Sequence, residues 1–270
     1  MTTFHVAMLA SGSKGNAALV SAGTRHFLVD AGLSCRELNR RLQTLGLGIE
    51  KLDAVFITHE HIDHIKGLET LCKNYRVPVY ATLKTWYWIF NRLKISDKSC
   101  CLSWQQPVTL DGVTIDHFPV PHDAADPHGY TFTCNANGAK CTYLTDTGFV
   151  TDEVRQAAEN SEILILEANH DVEMLKNGSY PQTLKQRILS TRGHLSNESA
   201  GRLLALLECR PKIVFLAHLS EENNRPALAC KTVRDILKKH GLKPGDMQIF
   251  VASQHEVVRG CTAVQEEIFS

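Results

Sequence analysis

Residues 59–64, with the sequence His-Glu-His-Ile-Asp-His, place four potential metal ligands within six positions. Imidazole nitrogens and carboxylate oxygens suit Zn, Mn and Fe. The segment directly follows the apolar residues 54–57, so a buried strand is predicted to end where the motif begins. A turn there lets several side chains leave one short loop and converge, whereas a histidine-rich polar turn is the alternative. The motif predicts a metal site formed by His59, His61, Asp63 and His64.

Further candidate ligands follow three other predicted strands. Each of these strands is a short apolar run that is directly followed by a histidine or an aspartate. Because open sheets present their binding sites at strand ends, we expect these side chains to meet the motif. His117 and His128 lie near one of the candidates in the sequence and compete for its role. The candidates are His122, Asp146 and His218.

Residues 193–197 (Gly-His-Leu-Ser-Asn) are suited to hold a phosphate group. Ser196 or Asn197 can cap a helix whose first amide groups attract an anion. His194, directly before that cap, is placed to hydrogen-bond a phosphate oxygen or to protonate a leaving alkoxide. A helix cap beside an incidental histidine is the alternative.

Residues 11–16 (Ser-Gly-Ser-Lys-Gly-Asn) are a second candidate for phosphate binding. The glycines free the backbone, and Ser13, Lys14 and Asn16 offer hydrogen-bond donors. The spacing differs from that of a nucleotide P-loop, so no nucleoside triphosphate is implied, and an ordinary hairpin turn is the alternative. His170, which follows a predicted strand, is a further substrate-binding candidate.

Composition and charge restrict the class of protein. With 43% hydrophobic and 21% charged residues, the chain is typical of a soluble protein, and no apolar run approaches the roughly 20 residues of a membrane span. Nine cysteines without a Cys-x-x-Cys pair, and no leader-like N-terminus, predict reduced thiols in the cytoplasm. Because the formal net charge is zero, binding of nucleic acid would need locally concentrated positive charge. Arg36, Arg40 and Arg41 form a basic run on one predicted helix. This run is either a contact for a phosphate backbone or a solvated helix face.

Strand and helix signals alternate along most of the chain. A continuous apolar strand is predicted over residues 54–58, hairpins at Asp111-Gly112 and at residues 135–138, and a final strand over residues 247–251. No repeat or linker interrupts this order. We therefore predict an α/β protein with one domain over residues 1–270.

The His-x-His-x-Asp-His motif resembles the signature of the metallo-β-lactamase fold superfamily. Four flanking segments narrow the resemblance to the YycJ/WalJ-like branch, namely residues 11–16, 28–33, 122–127 and 193–197. The resemblance runs from about Phe4 to beyond His218. It implies an αββα sandwich, in which two mixed β-sheets lie between outer helices, and it implies two divalent metal ions. Mn and Zn are the expected ions, with Fe as a third candidate.

The resemblance also assigns roles to individual residues. Asp63 would act in catalysis as well as in metal binding, with His194 as the other catalytic residue. Asp30, after its own strand, would orient a ligand imidazole, whereas an ordinary turn aspartate is the alternative. Histidine rather than glutamate at position 61 favours hydrolysis over redox chemistry. The implied ligands are His59, His61 and His122 for one ion, Asp63, His64 and His218 for the other, and Asp146 as a bridge.

Two ions about 3.5–4 Å apart lower the pKa of a shared water, and the resulting bridging hydroxide attacks phosphorus in line with the leaving oxygen. The branch is regarded as acting on DNA, so the resemblance implies an exonuclease on double-stranded DNA, with 5′–3′ polarity and a role in DNA repair. DNA is thus the expected partner, and no binding to a membrane is expected. The sequence does not predict the oligomeric state. The alternatives are a phosphodiesterase of cyclic phosphate esters and a non-catalytic metal-binding or nucleic-acid-binding scaffold.

Overall fold

Two seven-stranded β-sheets face each other in the residues that the computed structural model describes, which are 3–243 and 245–261. The domain predicted over residues 1–270 also contains residues 1, 2, 244 and 262–270, which lie outside the described residues. No helix in the described ranges has the length and apolar character needed to cross a membrane.

The first sheet combines the first strands of the chain with one from near its end. It runs antiparallel on one side and parallel from its fourth strand onward, in the order β14-β1-β2-β3-β4-β5-β6. These strands are β1 (Phe4–Ala10), β2 (Ala17–Ala22), β3 (Arg25–Val29), β4 (Ala54–Phe56), β5 (Val79–Ala81), β6 (Cys101–Ser103) and β14 (Val258–Cys261).

The second sheet has the same mixed character. It is antiparallel from β7 to β10 and parallel from β10 to β13, in the order β13-β12-β11-β10-β9-β8-β7. Its strands are β7 (Val108–Leu110), β8 (Val113–Pro119), β9 (His128–Cys134), β10 (Lys140–Leu144), β11 (Ile163–Glu167), β12 (Ile213–Ala217) and β13 (Gln248–Val251).

Helices fill the connections between the strands. A short 3-10 helix, Ile49–Lys51, follows the first α-helix of the chain. The α-helices are α1 (Cys35–Gln43), α2 (Ile62–Ile65), α3 (Leu68–Asn74), α4 (Leu83–Arg92), α5 (Asp152–Ala158), α6 (Val172–Asn177), α7 (Gln182–Ile188), α8 (Asn197–Leu206) and α9 (Pro226–Lys239).

Apolar clusters between the layers hold the fold together. Leu38 and Leu71 belong to the cluster in which α1, α3 and α4 pack on the first sheet. Phe56 and Phe132, with ring centroids 5.8 Å apart, lie in the cluster between the two sheets. Leu204 belongs to the cluster in which α5, α8 and α9 pack on the second sheet. This layer order confirms the predicted αββα sandwich with two mixed sheets.

Two strand predictions need correction. The strand predicted over residues 54–58 ends at Phe56, because Thr58 donates its backbone N–H and its hydroxyl to the carboxylate of Asp30. The strand predicted over residues 247–251 is present as β13, but it is not the last one. β14 follows it and pairs with β1, a tertiary contact that no local periodicity reveals.

Two arginines of the basic run on α1 are engaged in contacts within the fold, whereas Arg36 is exposed. Arg41 is buried and donates to the carbonyl oxygens of Leu9 and Gln254, so it connects α1 to β1 and to the loop after β13. Arg40 and Arg41 both pair with Glu37, which neutralises much of their charge. The run thus serves the structure of the fold and a solvated helix face.

Candidate metal centre

The motif of residues 59–64 leaves the end of β4 as a loop and then opens α2. His59 and His64 are buried, and His61 precedes the helix as its N-cap residue. Nε2 of His59 lies 2.9 Å from Nδ1 of His61. One ring nitrogen from each of His59, His61 and His122 lies within 4.8 Å of the other two. The structure thus gathers three imidazoles that can hold one cation.

A second group of ligands adjoins the first. Ligand atoms of Asp63, His64 and His218 also lie within 4.8 Å of one another. Asp146 lies between the two groups, with Oδ2 3.5 Å from Nε2 of His64 and Oδ1 3.9 Å from Nε2 of His122. The carboxylate therefore has the position that a bridging ligand requires.

Hydrogen bonds orient three of these imidazoles in the same way. In each ring Nδ1–H donates to an acceptor, which leaves Nε2 to the centre of the site. Such outer hydrogen bonds fix the tautomer and the direction of a metal-binding histidine. The pairs are His64 with Asp30 at 2.7 Å, His122 with the Gly193 carbonyl at 3.1 Å, and His218 with Glu167 at 2.9 Å.

Asp30, Asp146 and His218 share an unusual backbone conformation. Their φ angles are 61°, 56° and 56°, in the left-handed region, and each residue lies one or two positions after a strand. Aspartate and histidine tolerate this region better than most residues, and such strain persists only where the surroundings impose it. The left-handed turns bend the chain away from each strand at the place where the ligands converge.

A glycine allows the loop after β3 to pack directly on the ligand loop. A Cβ atom at Gly32 would lie 1.6 Å from the carbonyl oxygen of Asp63, so no side chain fits there. Asn16 N–H donates to the same oxygen at 2.7 Å, and Ala31 N–H donates to the carbonyl oxygen of His64 at 2.8 Å. These backbone contacts fix the positions of Asp63 and His64.

The electrostatics of the site fit cations. Burial alone would raise the pKa of Asp63, but the His64 and His218 imidazoles lower it well below its usual range. Burial would lower the pKa of His218, but Asp146, Asp63 and Glu167 raise it to about 10. In the described part of the chain, Oδ2 of Asp146 and Nε2 of His218 are buried and have no hydrogen-bond partner. Orphaned buried atoms are rare, and these nitrogen and oxygen donors fit two divalent cations.

Glu167 is a functional residue that the sequence-based reasoning missed. It is fully buried at the end of β11, and its Oε1 accepts hydrogen bonds from His194 Nδ1 at 2.8 Å and His218 Nδ1 at 2.9 Å. Oε2 accepts the backbone N–H groups of Thr147 and Leu195. Burial would raise the pKa of Glu167, but the adjacent His194 lowers it, so the carboxylate stays ionised. An acidic residue after a buried strand was the available signal, since the same pattern identified Asp146.

Comparison with known proteins places this centre in a family. The family described as "Beta-lactamase superfamily domain" matches residues 25–219. The chain is 38% identical over 245 residues to Exodeoxyribonuclease YycJ from Bacillus anthracis, covering 90% of this chain and 92% of that protein. It is 39% identical over 256 residues to Exodeoxyribonuclease WalJ from Streptococcus pneumoniae, covering 93% and 94%. The chain belongs to the metallo-β-lactamase superfamily, in its YycJ/WalJ-like branch.

A solved structure supports the same assignment for the fold. The metallo-β-lactamase fold protein YhfI from Bacillus subtilis superposes with a TM-score of 0.72 at 20% identity, covering 96% of this chain and all of that one. The resemblance predicted from the motifs is confirmed. The protein is accordingly a hydrolase of the metallo-β-lactamase fold.

In this metallo-β-lactamase fold hydrolase, the ligand groups open into a cavity of about 240 Å³. Two of the predicted substrate-binding residues, Ser13 and His194, line the cavity. Arg187 also lines it and forms an ion pair with Asp123, another lining residue. A guanidinium at the cavity is the kind of local positive charge that a neutral protein needs to bind a phosphate. The sequence-based reasoning did not identify Arg187, because nothing near it in the sequence marks it.

The other three substrate-binding candidates do not line the cavity. Asn16 is buried, and its amide donates to the carbonyl oxygen of Gly12 and to Oδ2 of Asp63, so it supports a metal ligand instead. Ser196 is the N-cap of α8 and accepts the N–H of Ser199. His170 is 1% exposed, which removes its ring from contact with a substrate. All three are buried, which the local sequence does not reveal, so we do not assign them direct contact with a substrate; Ser196 caps α8 as predicted.

We expect Asp30→Asn to lower the affinity of the centre for metal about 10–100-fold, because the loss of an orienting hydrogen bond has this effect on metal-binding histidines. The amide cannot match the carboxylate that accepts from His64 Nδ1 and Thr58 at the same time. Titration with Mn²⁺ against a fluorescent chelator measures the change. Asp116→Asn, on an exposed part of β8, is the matched control. If the two variants bind Mn²⁺ with equal affinity, Asp30 does not orient a metal ligand and serves only the turn in which it lies.

Proposed function

We propose that the protein is a dinuclear-metal phosphodiesterase that degrades DNA as an exonuclease. The observation that carries this proposal is the junction of two ligand groups at Asp146 in one cavity, which His194 also lines. The relatives from Bacillus anthracis and Streptococcus pneumoniae are both named exodeoxyribonucleases, which supports DNA as the substrate.

Seven side chains would hold the two ions. When bound, two divalent cations of the Mn or Zn type, or Fe, acidify a water molecule and offset the charge of a phosphodiester. We propose the division that the resemblance implies, which the two histidine-containing triads support: His59, His61 and His122 for one ion, Asp63, His64 and His218 for the other, and Asp146 for both.

Asp63 and His194 are the residues that we propose to act on protons. Asp63 lines the cavity as an ionised carboxylate and can accept a hydrogen bond from the attacking water. His194 donates Nδ1–H to Glu167, which leaves its Nε2 for the substrate. In the doubly protonated ring, Nε2–H can pass a proton to the departing alkoxide. Glu167 therefore orients the proposed general acid and stabilises its positive charge.

Two cavity residues are proposed to bind the phosphate. Ser13 is exposed at the mouth of the cavity and offers a hydroxyl donor. Arg187 offers a planar pair of donors once its guanidinium exchanges Asp123 for a phosphate oxygen. Ser13 is directly available to a substrate and Arg187 becomes so by that exchange, unlike the buried Asn16.

The proposed activity is tested with end-labelled duplex DNA and added Mn²⁺. We expect stepwise release of mononucleotides, and we expect Asp63→Ala to reduce the rate by at least about a hundredfold. Asp235→Ala, on the exposed side of α9, is the matched control. Blunt, 5′-overhang and 3′-overhang duplexes determine the polarity, which we propose to be 5′–3′.

A phosphodiesterase of small cyclic phosphate esters is the second candidate. The zero net charge favours it, because a small substrate needs no extended basic surface. Hydrolysis of a cyclic nucleotide without release of nucleotides from DNA would select this function. Bound metal without hydrolysis of any phosphodiester would contradict both proposals.

We further propose that the protein acts as one domain in the cytoplasm, with a role in DNA repair. Pairing of β14 with β1 supports a single unit, since it joins strands from near the two ends of the chain. Nine cysteines without a Cys-x-x-Cys pair are typical of a reducing compartment. The repair role depends on the resemblance to the YycJ/WalJ-like branch.

A further inference from the structure

Three cysteines gather at a place that the metal centre does not use. The sulfur atoms of Cys72, Cys100 and Cys101 all lie within 4.8 Å of one another. Cys72 is 28 positions from Cys100 (100 minus 72), so the sequence gives no Cys-x-x-Cys signal for this cluster. None of the three residues belongs to the ligand groups around Asp146.

The fold brings the three thiols together from a helix and a strand. Cys72 lies in α3, and Cys101 is the first residue of β6. Cys101 N–H donates to the carbonyl oxygen of Lys98, and Val79 N–H donates to that of Cys100, so the chain turns sharply into the strand. Cys72 and Cys100 are buried in the apolar cluster under the first sheet, whereas Cys101 is only half-buried. The cluster is therefore rigid on two sides and reachable from the third.

The thiols also interact with one another and with a nearby positive charge. A hydrogen bond from Cys72 lowers the pKa of Cys101, and the ammonium group of Lys98 lowers it further, which together outweigh the opposing effects of burial and of the Asp97 carboxylate. Lys98 is held in place by the ring of Phe90, with Nζ 4.0 Å from the ring centroid. One thiol of the cluster is thus prepared for ionisation at the side that solvent can reach.

We propose that Cys72, Cys100 and Cys101 form a thiolate site for one thiophilic divalent cation of the Zn²⁺ or Cd²⁺ class. Zinc–sulfur bonds of about 2.3 Å in a tetrahedral site place the sulfur atoms about 3.8 Å apart, so the cluster needs to contract by at most about 1 Å. The fourth position faces the open side at Cys101, where a water molecule can complete the coordination.

Charge explains the choice of a divalent cation. Binding releases the three thiol protons to solvent, and three thiolates with one dication leave one net negative charge. Lys98 offsets that charge. A monovalent cation such as Cu(I) would leave a second negative charge in largely apolar surroundings, which burial disfavours. Sulfur ligands also distinguish this site from the nitrogen and oxygen ligands of the catalytic centre.

Cadmium titration tests the proposal without interference from the catalytic centre. The full chain, reduced and saturated with Mn²⁺, is titrated with Cd²⁺ while the ultraviolet sulfur-to-cadmium charge-transfer absorption is recorded. Only thiolates give this absorption, so Cd²⁺ at His and Asp ligands stays silent. We expect a saturable signal that is largely lost in Cys72→Ser and in Cys101→Ser. Cys209→Ser, which removes an exposed cysteine on another surface, should retain it.

A second measurement uses the unmodified protein, in case a variant fails to fold. Cd²⁺ at ten times its dissociation constant should slow alkylation of Cys101 about tenfold and leave alkylation of Cys209 nearly unchanged. Absence of the charge-transfer signal together with unprotected Cys101 would mean that the thiols only pack in the core, and would overturn the proposal. A signal that depends on Cys209 alone would overturn it too.

Discussion

Replacing Asp146 by asparagine is expected to reduce the hydrolysis of DNA by at least about a thousandfold, with a fall in bound metal from two ions per chain to one or none. Asp146 is the carboxylate between the two ligand groups, and its Oδ2 is buried and has no hydrogen-bond partner among the described residues. The amide keeps the shape of the side chain but removes the charge that would offset two dications. Elemental analysis together with initial rates at saturating Mn²⁺ measures both effects.

Asparagine is the right replacement because Asp146 has a φ of 56°. Asparagine tolerates this left-handed conformation, whereas alanine would add backbone strain to the loss of the ligand. Asp111→Asn is a matched control, since Asp111 has a φ of 45° and lies in an exposed hairpin turn. If Asp146→Asn keeps full activity and two bound ions, Asp146 does not bridge the two ions and this part of the proposal is wrong.

His194→Gln is expected to lower kcat for DNA by about 10²–10³, within the range that general acid catalysis contributes. The effect should depend on the leaving group, because a departing deoxyribose alkoxide needs a proton and a nitrophenolate does not. We therefore expect a loss of less than about tenfold with a nitrophenyl ester of thymidine phosphate. Steady-state rates on the two substrates provide the comparison.

This pair of substrates separates two roles that the geometry permits. His194 lines the cavity, but its Nδ1 also lies near Asp146, Glu167 and His218 in an arrangement that could hold a metal ion. An equal loss on both substrates, with less metal bound, would make His194 a ligand rather than an acid. His240→Gln, at an exposed position after α9, controls for general effects of removing an imidazole.

Much of the site could be predicted because its signals are local. His59, His61, Asp63 and His64 fall within one loop, so no knowledge of the fold is needed to group them. His122, Asp146 and His218 could be added because each directly follows an apolar run, and strand ends meet at the edge of a sheet. The structure brings all seven together around Asp146.

The substrate-binding residues were predicted less well, for a physical reason. Asn16 and Ser13 belong to the same polar loop, yet one is buried and the other is exposed. Which side of a loop faces the cavity depends on the packing of neighbouring loops, here on the approach of Gly32 to the backbone of Asp63. Arg187 was missed for the same reason, since only the folded chain brings α7 to the cavity.

The amino-acid sequence by itself predicted an α/β protein and a set of metal ligands, because periodicity, turns and dense motifs act over a few residues, and the resemblance of those motifs to a known superfamily added the αββα layers. Only the tertiary structure decided which side chains form hydrogen bonds to the residues of the metal centre. Glu167 joins His194 and His218 across 27 and 51 positions, and β14 completes a sheet with the first strand of the chain. Cys72 meets Cys100 and Cys101 only because α3 packs beside β6. Such contacts depend on how the layers pack in space, and the local sequence around each residue does not predict that packing.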